Sequence, residues 1–382
     1  MKTTNTNIAE LLRQGENASI EFKEQFVRPE SLAKEIIALA NTQGGVILVG
    51  ISDQGKIIGV DSEGNAIEHV TNIARNNVIP PIELEIEQIS YQEKPLIVIT
   101  VPKGKDKPYQ TLNHQFLIRV GSTNRVASQT ELMRLFQQSG IFHYDAIAVE
   151  NATIKHINLH KISEYFDAYQ VDFEQEENPE NLLKNTDILT ENYQASIAGL
   201  LVFALNPQKF IPSACISFAH FAGNEITEEL IDKQTVTGTL DQQIDTTLAI
   251  IKNNIKMPST IQAAKIQPTN FCYPDKVFRE LLVNACVHRN YAISGSRIRV
   301  FMFADRIEFI SPGKLPNTVT IEKLSYGVSY AVNPIIVKFM ENLRYIDKLG
   351  RGLPMVCKVA KDHAKSVKFE EIGEEFKVTL EL

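Results

Sequence analysis

Glu280, Asn284 and His288, spaced four residues apart, carry the most suggestive chemistry in this 382-residue chain. On a helix, positions i, i+4 and i+8 form one stripe, while Phe278, Leu281, Leu282 and Ala285 form an apolar face. Such a helix packs by one side and offers a carboxylate, an amide and an imidazole from another. The carboxylate can orient a water, and the amide oxygen can hold Mg²⁺, a hard cation that prefers oxygen ligands beside phosphates. The spacing points to a nucleotide site; a surface helix with three solvated polar residues fits it equally well.

Those residues need a frame. Residues 298–303 and 307–310 read as strands joined by the turn Ala304-Asp305-Arg306, and the second runs into Ser311-Pro312-Gly313-Lys314-Leu315-Pro316. Later comes Asp347-Lys348-Leu349-Gly350-Arg351-Gly352-Leu353-Pro354, a glycine pair ahead of another helical pattern.

A helix with E-x-x-x-N, a hairpin, a glycine turn and then G-x-G opening a helix resembles the GHKL ATPase superfamily. The likeness is greatest to a divergent branch in bacterial regulators with NAxxHRxY and SPGxLP signatures, and it covers about residues 271–365. The resemblance implies a GHKL-like α/β sandwich that binds ATP or another nucleotide with Mg²⁺. In it Glu280 is the water-activating base, Asn284 the Mg²⁺ ligand, and His288, Ser311 and Gly313 belong to the nucleotide pocket. Gly350 and Gly352 resemble lid glycines whose bare backbone lets N–H groups approach an anion, with Lys348 and Arg351 adding charge. Ser311 stands where an Asp usually binds the adenine amine, and Leu315 where a glycine is usual. Val332-Asn333-Pro334 replaces Arg-Asn-Pro, and Asn290 replaces an Asp. Weak base selectivity and at most a weak ATPase follow.

The first 140 residues carry a second set of candidates. A short helix over 6–14 precedes Gly15-Glu16-Asn17-Ala18-Ser19-Ile20-Glu21, and a helix capped by Ser31 ends at Asn41-Thr42-Gln43-Gly44-Gly45. A buried strand over 46–51, a turn at Asp53-Gln54-Gly55, a hairpin pairing 83–89 with 95–101 and a strand over 116–120 complete a mixed α/β domain. Glu21-Phe22-Lys23, Ala40-Asn41-Thr42-Gln43-Gly44-Gly45, Val49-Gly50-Ile51-Ser52-Asp53 and Ile118-Arg119-Val120-Gly121-Ser122 resemble the Schlafen AlbA-type domain over most of residues 10–135. That class implies binding of DNA or RNA and, in the animal Schlafen proteins, RNA cleavage by a carboxylate triplet. The matching positions are Glu16, Glu21 and Asp53, and three such groups could hold divalent ions that polarise a phosphate. An ion pair of Glu21 with Lys23 or Arg119, and a plain turn role for Asp53, fit as well. Lys103, Lys107, Tyr109, Arg119 and Arg125 combine phosphate-attracting charge with a ring on which a base can stack.

Composition sets the limits. The hydrophobic share of 43% and charged share of 22% are those of a soluble globular protein, and the length calls for more than one core. Without a signal-peptide pattern or an apolar run of ~20 residues, a cytoplasmic protein without a membrane partner is expected. Cys215, Cys272, Cys286 and Cys357 have no zinc spacing and read as small buried hydrophobes. The net charge of −7 is uneven: −2 over 1–140, −9 over 141–270 and +4 over 271–382. That balance argues against strong non-specific DNA affinity without excluding a local basic groove.

The expected organisation is α+β. A nucleic-acid-binding domain (1–140) is followed by an acidic connector (141–270) packing on a nucleotide-binding domain (271–382) that can form a homodimer. Within the connector, 197–205 and 214–221 read as strands and 238–253 as an amphipathic helix. No winged helix, common in similar regulators, precedes Leu382. A nucleic-acid-binding transcriptional regulator with an ATP-binding domain is the expected function. A nucleotide-gated, metal-dependent nuclease and a degenerate scaffold are the alternatives.

Overall fold

The computed structural model describes residues 5–26, 28–60, 65–227, 229–255, 259–262, 265–268, 273–317, 319–327, 330–346 and 350–382. The chain forms two compact units, Met1–Phe142 and His143–Leu382, and its class is α+β.

In the first unit, chain order is α1 (Asn5–Gln14), β1 (Ile20–Lys23), α2 (Pro29–Asn41), β2 (Gly45–Val49), α3 (Ala66–Asn76) and β3 (Val78–Ile79). Then follow β4 (Glu85–Tyr91), β5 (Lys94–Val101), β6 (Gln110–Thr111), β7 (Leu117–Val120), β8 (Thr123–Val126) and α4 (Gln129–Gln138). The main sheet has the order β1-β2-β5-β4, with β1 and β2 parallel. Both its faces are covered: Ile37, Ile47 and Ile99 belong to one core, Ile8, Leu48 and Val98 to another. This double burial is why Gly45–Val49 is a continuous apolar run rather than an alternating one. α2 starts before Ser31 because Pro29 takes its first turn, where a missing N–H costs nothing. It ends on Asn41, fully buried and fully satisfied: its Nδ2 donates to the carbonyls of Tyr109 and Leu117 at 2.8 Å, and its Oδ1 accepts from Tyr109 N at 2.7 Å. A Cβ on Gly44 would lie 2.6 Å from the Val101 carbonyl, so the glycine there is demanded by backbone packing.

The second unit begins with α5 (Leu159–Asp167), α6 (Pro179–Asn185), α7 (Ile197–Phe203), β9 (Ile216–Phe221), β10 (Leu230–Val236) and α8 (Leu240–Asn254). A separate hairpin, β11 (Ser259–Gln262) and β12 (Lys265–Pro268), precedes α9 (Asp275–Val287), β13 (Ile298–Met302) and β14 (Arg306–Pro312). α10 (Ile321–Leu324), α11 (Pro334–Asn342), α12 (Gly352–Asp362), β15 (Val367–Ile372) and β16 (Glu375–Glu381) complete it. Six strands form one sheet in the order β10-β9-β13-β14-β16-β15, antiparallel except for β9 with β13. The core on one face joins Ile216, Phe218, Val300 and Phe309 to Ile244 of α8, Phe278 and Leu281 of α9 and Val356 of α12.

The strand expected over 197–205 is instead the helix α7. Its apolar residues are buried all round, which removes the periodicity that tells helix from strand, and the deciding contact is a cap: Ser196 Oγ accepts from Gly199 N at 2.8 Å. Among the described residues no helix is long and apolar enough to cross a membrane.

Candidate functional site

α9 forms where apolar spacing is helical, and it buries Phe278, Leu281, Leu282 and Ala285. Glu280 and Asn284 stand together on its other side. The Asn284 Nδ2 donates to the Glu280 carbonyl at 2.8 Å and to Glu280 Oε1 at 2.6 Å, which fixes the amide with its Oδ1 as the remaining polar atom. His288 is the C-cap residue, and burial pushes its imidazole down to about 4, so it is neutral at pH 7. Burial pushes the Cys286 thiol up to about 12, in keeping with a packing role.

Facing α9 is the end of β14. Ser311 is buried, and its hydroxyl donates to the Ala285 carbonyl at 2.7 Å, tying strand to helix. Gly313, at φ +128°, lets the chain turn against Asn290, whose Cβ would lie 3.0 Å from a Cβ placed there. Asn290 N in turn donates to the Pro312 carbonyl at 2.7 Å. The third wall is the start of α12. A Cβ on Gly352 would fall 1.7 Å from Glu280 Oε1, so the carboxylate rests directly on that glycine at the helix N-terminus. Gly350, at φ +61°, lies backbone to backbone with Gly327, whose carbonyl would be 2.5 Å from its Cβ. Arg351 is exposed beside them; Lys348 falls outside the described residues.

These walls enclose a cavity of about 340 Å³ lined by Glu280, Asn284, His288, Ser311, Gly313, Gly350, Arg351 and Gly352. The described residues expected at a nucleotide site are thus brought to one place. Apolar side chains, among them Val283, Val287, Phe309, Phe376 and Val378, supply much of the remaining wall. They gave no signal in the sequence because they read as ordinary core. Just outside, Arg289 is fully buried and donates to the carbonyls of Ser213 (2.7 Å) and Ser296 (2.8 Å), while Asn333 donates to those of Val287 and Arg289 at 2.8 Å each. The signature around His288 is therefore in part a scaffold that holds the end of α9.

In the first unit the candidates disperse. Glu16 Oε1 accepts from Phe22 N at 3.0 Å. Glu21 is buried and pairs with Lys23 and with Arg119 Nη2 at 2.6 Å. Glu35 joins the same network through Arg119 (3.4 Å), Lys23 (3.5 Å) and Asn124. Asp53 sits in an exposed turn. Among the described residues no three His, Cys, Asp or Glu side chains are grouped to hold a metal ion.

Residues 16–128 match the family model for the Schlafen AlbA_2 domain, and residues 295–380 match the one described as "Putative ATP-dependent DNA helicase recG C-terminal", an ATPase-type domain. The chain joins an AlbA_2 domain to a HATPase-type domain. The second match begins after α9, so Glu280, Asn284 and His288 precede it. Among solved structures, the DIP2311 protein from Corynebacterium diphtheriae is 19% identical with a TM-score of 0.49, covering 98% of this chain and 79% of that one. The N-terminal domain of a RecG-related protein from Nitrosomonas europaea is 22% identical with a TM-score of 0.25, covering 33% and 91%. No curated protein matches the chain.

Within the AlbA_2 domain three expected nucleic-acid contacts are interior, and this corrects their surface placement. Tyr109 is 2% exposed, its backbone held by Asn41, so its ring offers no stacking face. Lys107 is 2% exposed and donates to the Thr42 carbonyl at 2.8 Å. Arg119 is 6% exposed and, besides its carboxylates, donates to the carbonyls of Asn17 and Ile20. Arg125 is at the surface but bidentate to Glu131 at 2.6 and 2.8 Å, and that pairing holds the Glu131 carboxyl down at about 2. Lys103 is half-buried on the loop after β5.

In the second unit the donor set, most of it contributed by α9 ahead of the HATPase-type match, fits a nucleotide with Mg²⁺. Glu280 and Asn284 present hard oxygens to the cavity beside the N-terminus of α12, an end that attracts anions and on which the Glu280 carboxylate already rests at Gly352.

Proposed function

We propose that the second unit binds a nucleoside triphosphate with Mg²⁺ in the cavity between α9, β14 and α12, and that the first unit binds nucleic acid. The chain then acts as a nucleotide-responsive, nucleic-acid-binding regulator, with transcription as the process it controls. The observation carrying this reading is the Glu280–Asn284 pair resting against Gly352 in the wall of the cavity. Bound Mg²⁺ would neutralise phosphate charge. Asn284 Oδ1 would hold the cation, Glu280 would accept a proton from an attacking water, and the neutral His288 would face the ligand as a donor or acceptor. With the Ser311 hydroxyl engaged by Ala285, base selectivity between ATP and GTP should be small. The AlbA_2 match supports the nucleic-acid reading, with Lys103 and Arg125 the candidates that reach the surface.

Calorimetric titration with ATP and Mg²⁺ tests the site. Asn284→Ala should abolish Mg²⁺-dependent binding with the fold retained, whereas Leu281→Ala should cost about 2–5 kcal/mol of stability as a buried truncation. Undiminished binding by the Asn284 variant removes the assignment.

A further inference from the structure

Next to the cavity lies a shallow groove of about 530 Å³ lined by Lys276, Arg279, Glu280, Glu341, Arg344, Tyr345, Ile346 and Met355. It shares Glu280, Ile346 and Met355 with the cavity, so the two are continuous at the carboxylate that rests on Gly352. Three cations and two carboxylates line it. None of Lys276, Arg279 and Arg344 has an ion pair among the described residues, although many of the chain's other cations do.

Two of these cations are placed against local preference. Lys276 is in the first turn of α9, where the helix dipole disfavours positive charge. Arg344 follows the C-cap residue of α11 at φ +64°, with its N–H on the Glu341 carbonyl at 2.8 Å. That left-handed position after a helix is where glycine costs least. Arg279 is held in place: its guanidinium lies 4.7 Å from the centre of the Tyr345 ring, and Tyr345 is anchored to Asp245 at 2.5 Å. The buried Arg279 Nε has no hydrogen-bond partner. A preorganised groove that carries one more cation than carboxylate and meets the cavity at Glu280 is suited to further phosphate.

We propose that Lys276, Arg279 and Arg344 form a second anion site that takes the terminal phosphates of the nucleotide and so selects triphosphate over monophosphate. This rests on the nucleotide reading of the cavity. The test is titration of the full chain with ATP, ADP and AMP, and with inorganic tripolyphosphate, using Arg344→Gly and Lys276→Ala. Glycine suits the Arg344 position, so Arg344→Gly should keep or raise the unfolding midpoint while removing the charge. Each variant should lose about fivefold in ATP affinity, flatten its salt dependence and leave AMP unchanged. ATP affinity unaffected in both variants, or AMP weakened as much as ATP, overturns the groove and leaves the cavity reading intact. If no nucleotide binds the parent protein, the cavity reading falls and tripolyphosphate decides the groove. Binding weakened by Arg344→Gly supports the anion site; no binding ends it.

Discussion

Gly350 and Gly352 are two residues apart, yet the structure assigns them different reasons to be glycine, and alanine at each should separate those reasons. At Gly352 the added Cβ meets the end of the flexible Glu280 side chain, 1.7 Å from Oε1, which can swing away. Helix propensity offsets part of that displacement, since alanine is favoured over glycine by up to ~1 kcal/mol in a helix. Gly352→Ala should therefore change stability by less than about 1 kcal/mol while moving the carboxylate off Asn284. At Gly350 the Cβ meets the Gly327 carbonyl at 2.5 Å, with φ at +61°. Left-handed backbone costs a non-glycine residue about 1–2 kcal/mol and a close contact in a packed site about 1–3 kcal/mol. The sum, about 2–5 kcal/mol, cannot be relieved by a side chain. Urea unfolding of the full chain gives the global cost, and amide exchange over 321–327 and 350–356 shows whether the loss is local. Gly350→Ala as stable as Gly352→Ala, with equal exchange protection, would refute the backbone contact between Gly327 and Gly350.

Burial holds His288 near 4, against 6.5 for a free imidazole, so between pH 6.5 and 4 the unfolded chain binds the extra proton and stability falls as pH falls. The loss is at most about 3 kcal/mol, is complete below about pH 4 and is absent above 6.5. His288→Gln should flatten that window, and parallel urea midpoints at pH 4.5 and 7.5 for both proteins would count against it. In the first unit, Arg119→Ala should destabilise by about 3–5 kcal/mol, because it strips buried Glu21 of one of its two cations, while Arg125→Ala should leave the unfolding midpoint unchanged. Equal midpoints for the two variants would contradict the buried network.

The stripe on α9 was legible because helical spacing alone determines which residues share a face, and Glu280 and Asn284 are the pair the structure joins. The hairpin of β4 and β5 was equally plain, with its turn at Gln92-Glu93, both left-handed. Charge near a strand or loop was not legible in the same way. Arg119 alternates outward or inward with register, and only the fold reveals that it points under β1 to the carbonyls of Asn17 and Ile20. Tyr109 looked like a stacking ring because its neighbours are lysines. Its burial is set by Asn41, 68 residues earlier, a distance no local pattern spans. The walls of the cavity were hidden for another reason: Phe309, Phe376 and Val378 obey core patterning on the sheet face toward α9.

The buried network also bears on whether the AlbA_2 domain cleaves or binds. Glu21 has one oxygen on Lys23 and the other on Arg119, whose side chain is 1% exposed. For Glu21 to ligate a metal ion through those oxygens, it would have to leave both cations, and the buried Arg119 would keep Glu35 and the carbonyls of Asn17 and Ile20 but lose its shortest carboxylate contact. Breaking a buried pair in that way costs about 3–5 kcal/mol before any metal is gained. Glu16, for its part, would have to release the Phe22 N–H at the start of β1, a further unsatisfied donor. Both carboxylates of the E-x-x-x-x-E spacing thus hold the first strand in place, and they do so with the atoms a metal would need. The arrangement favours a domain that binds nucleic acid through its surface over one that cuts it at Glu21.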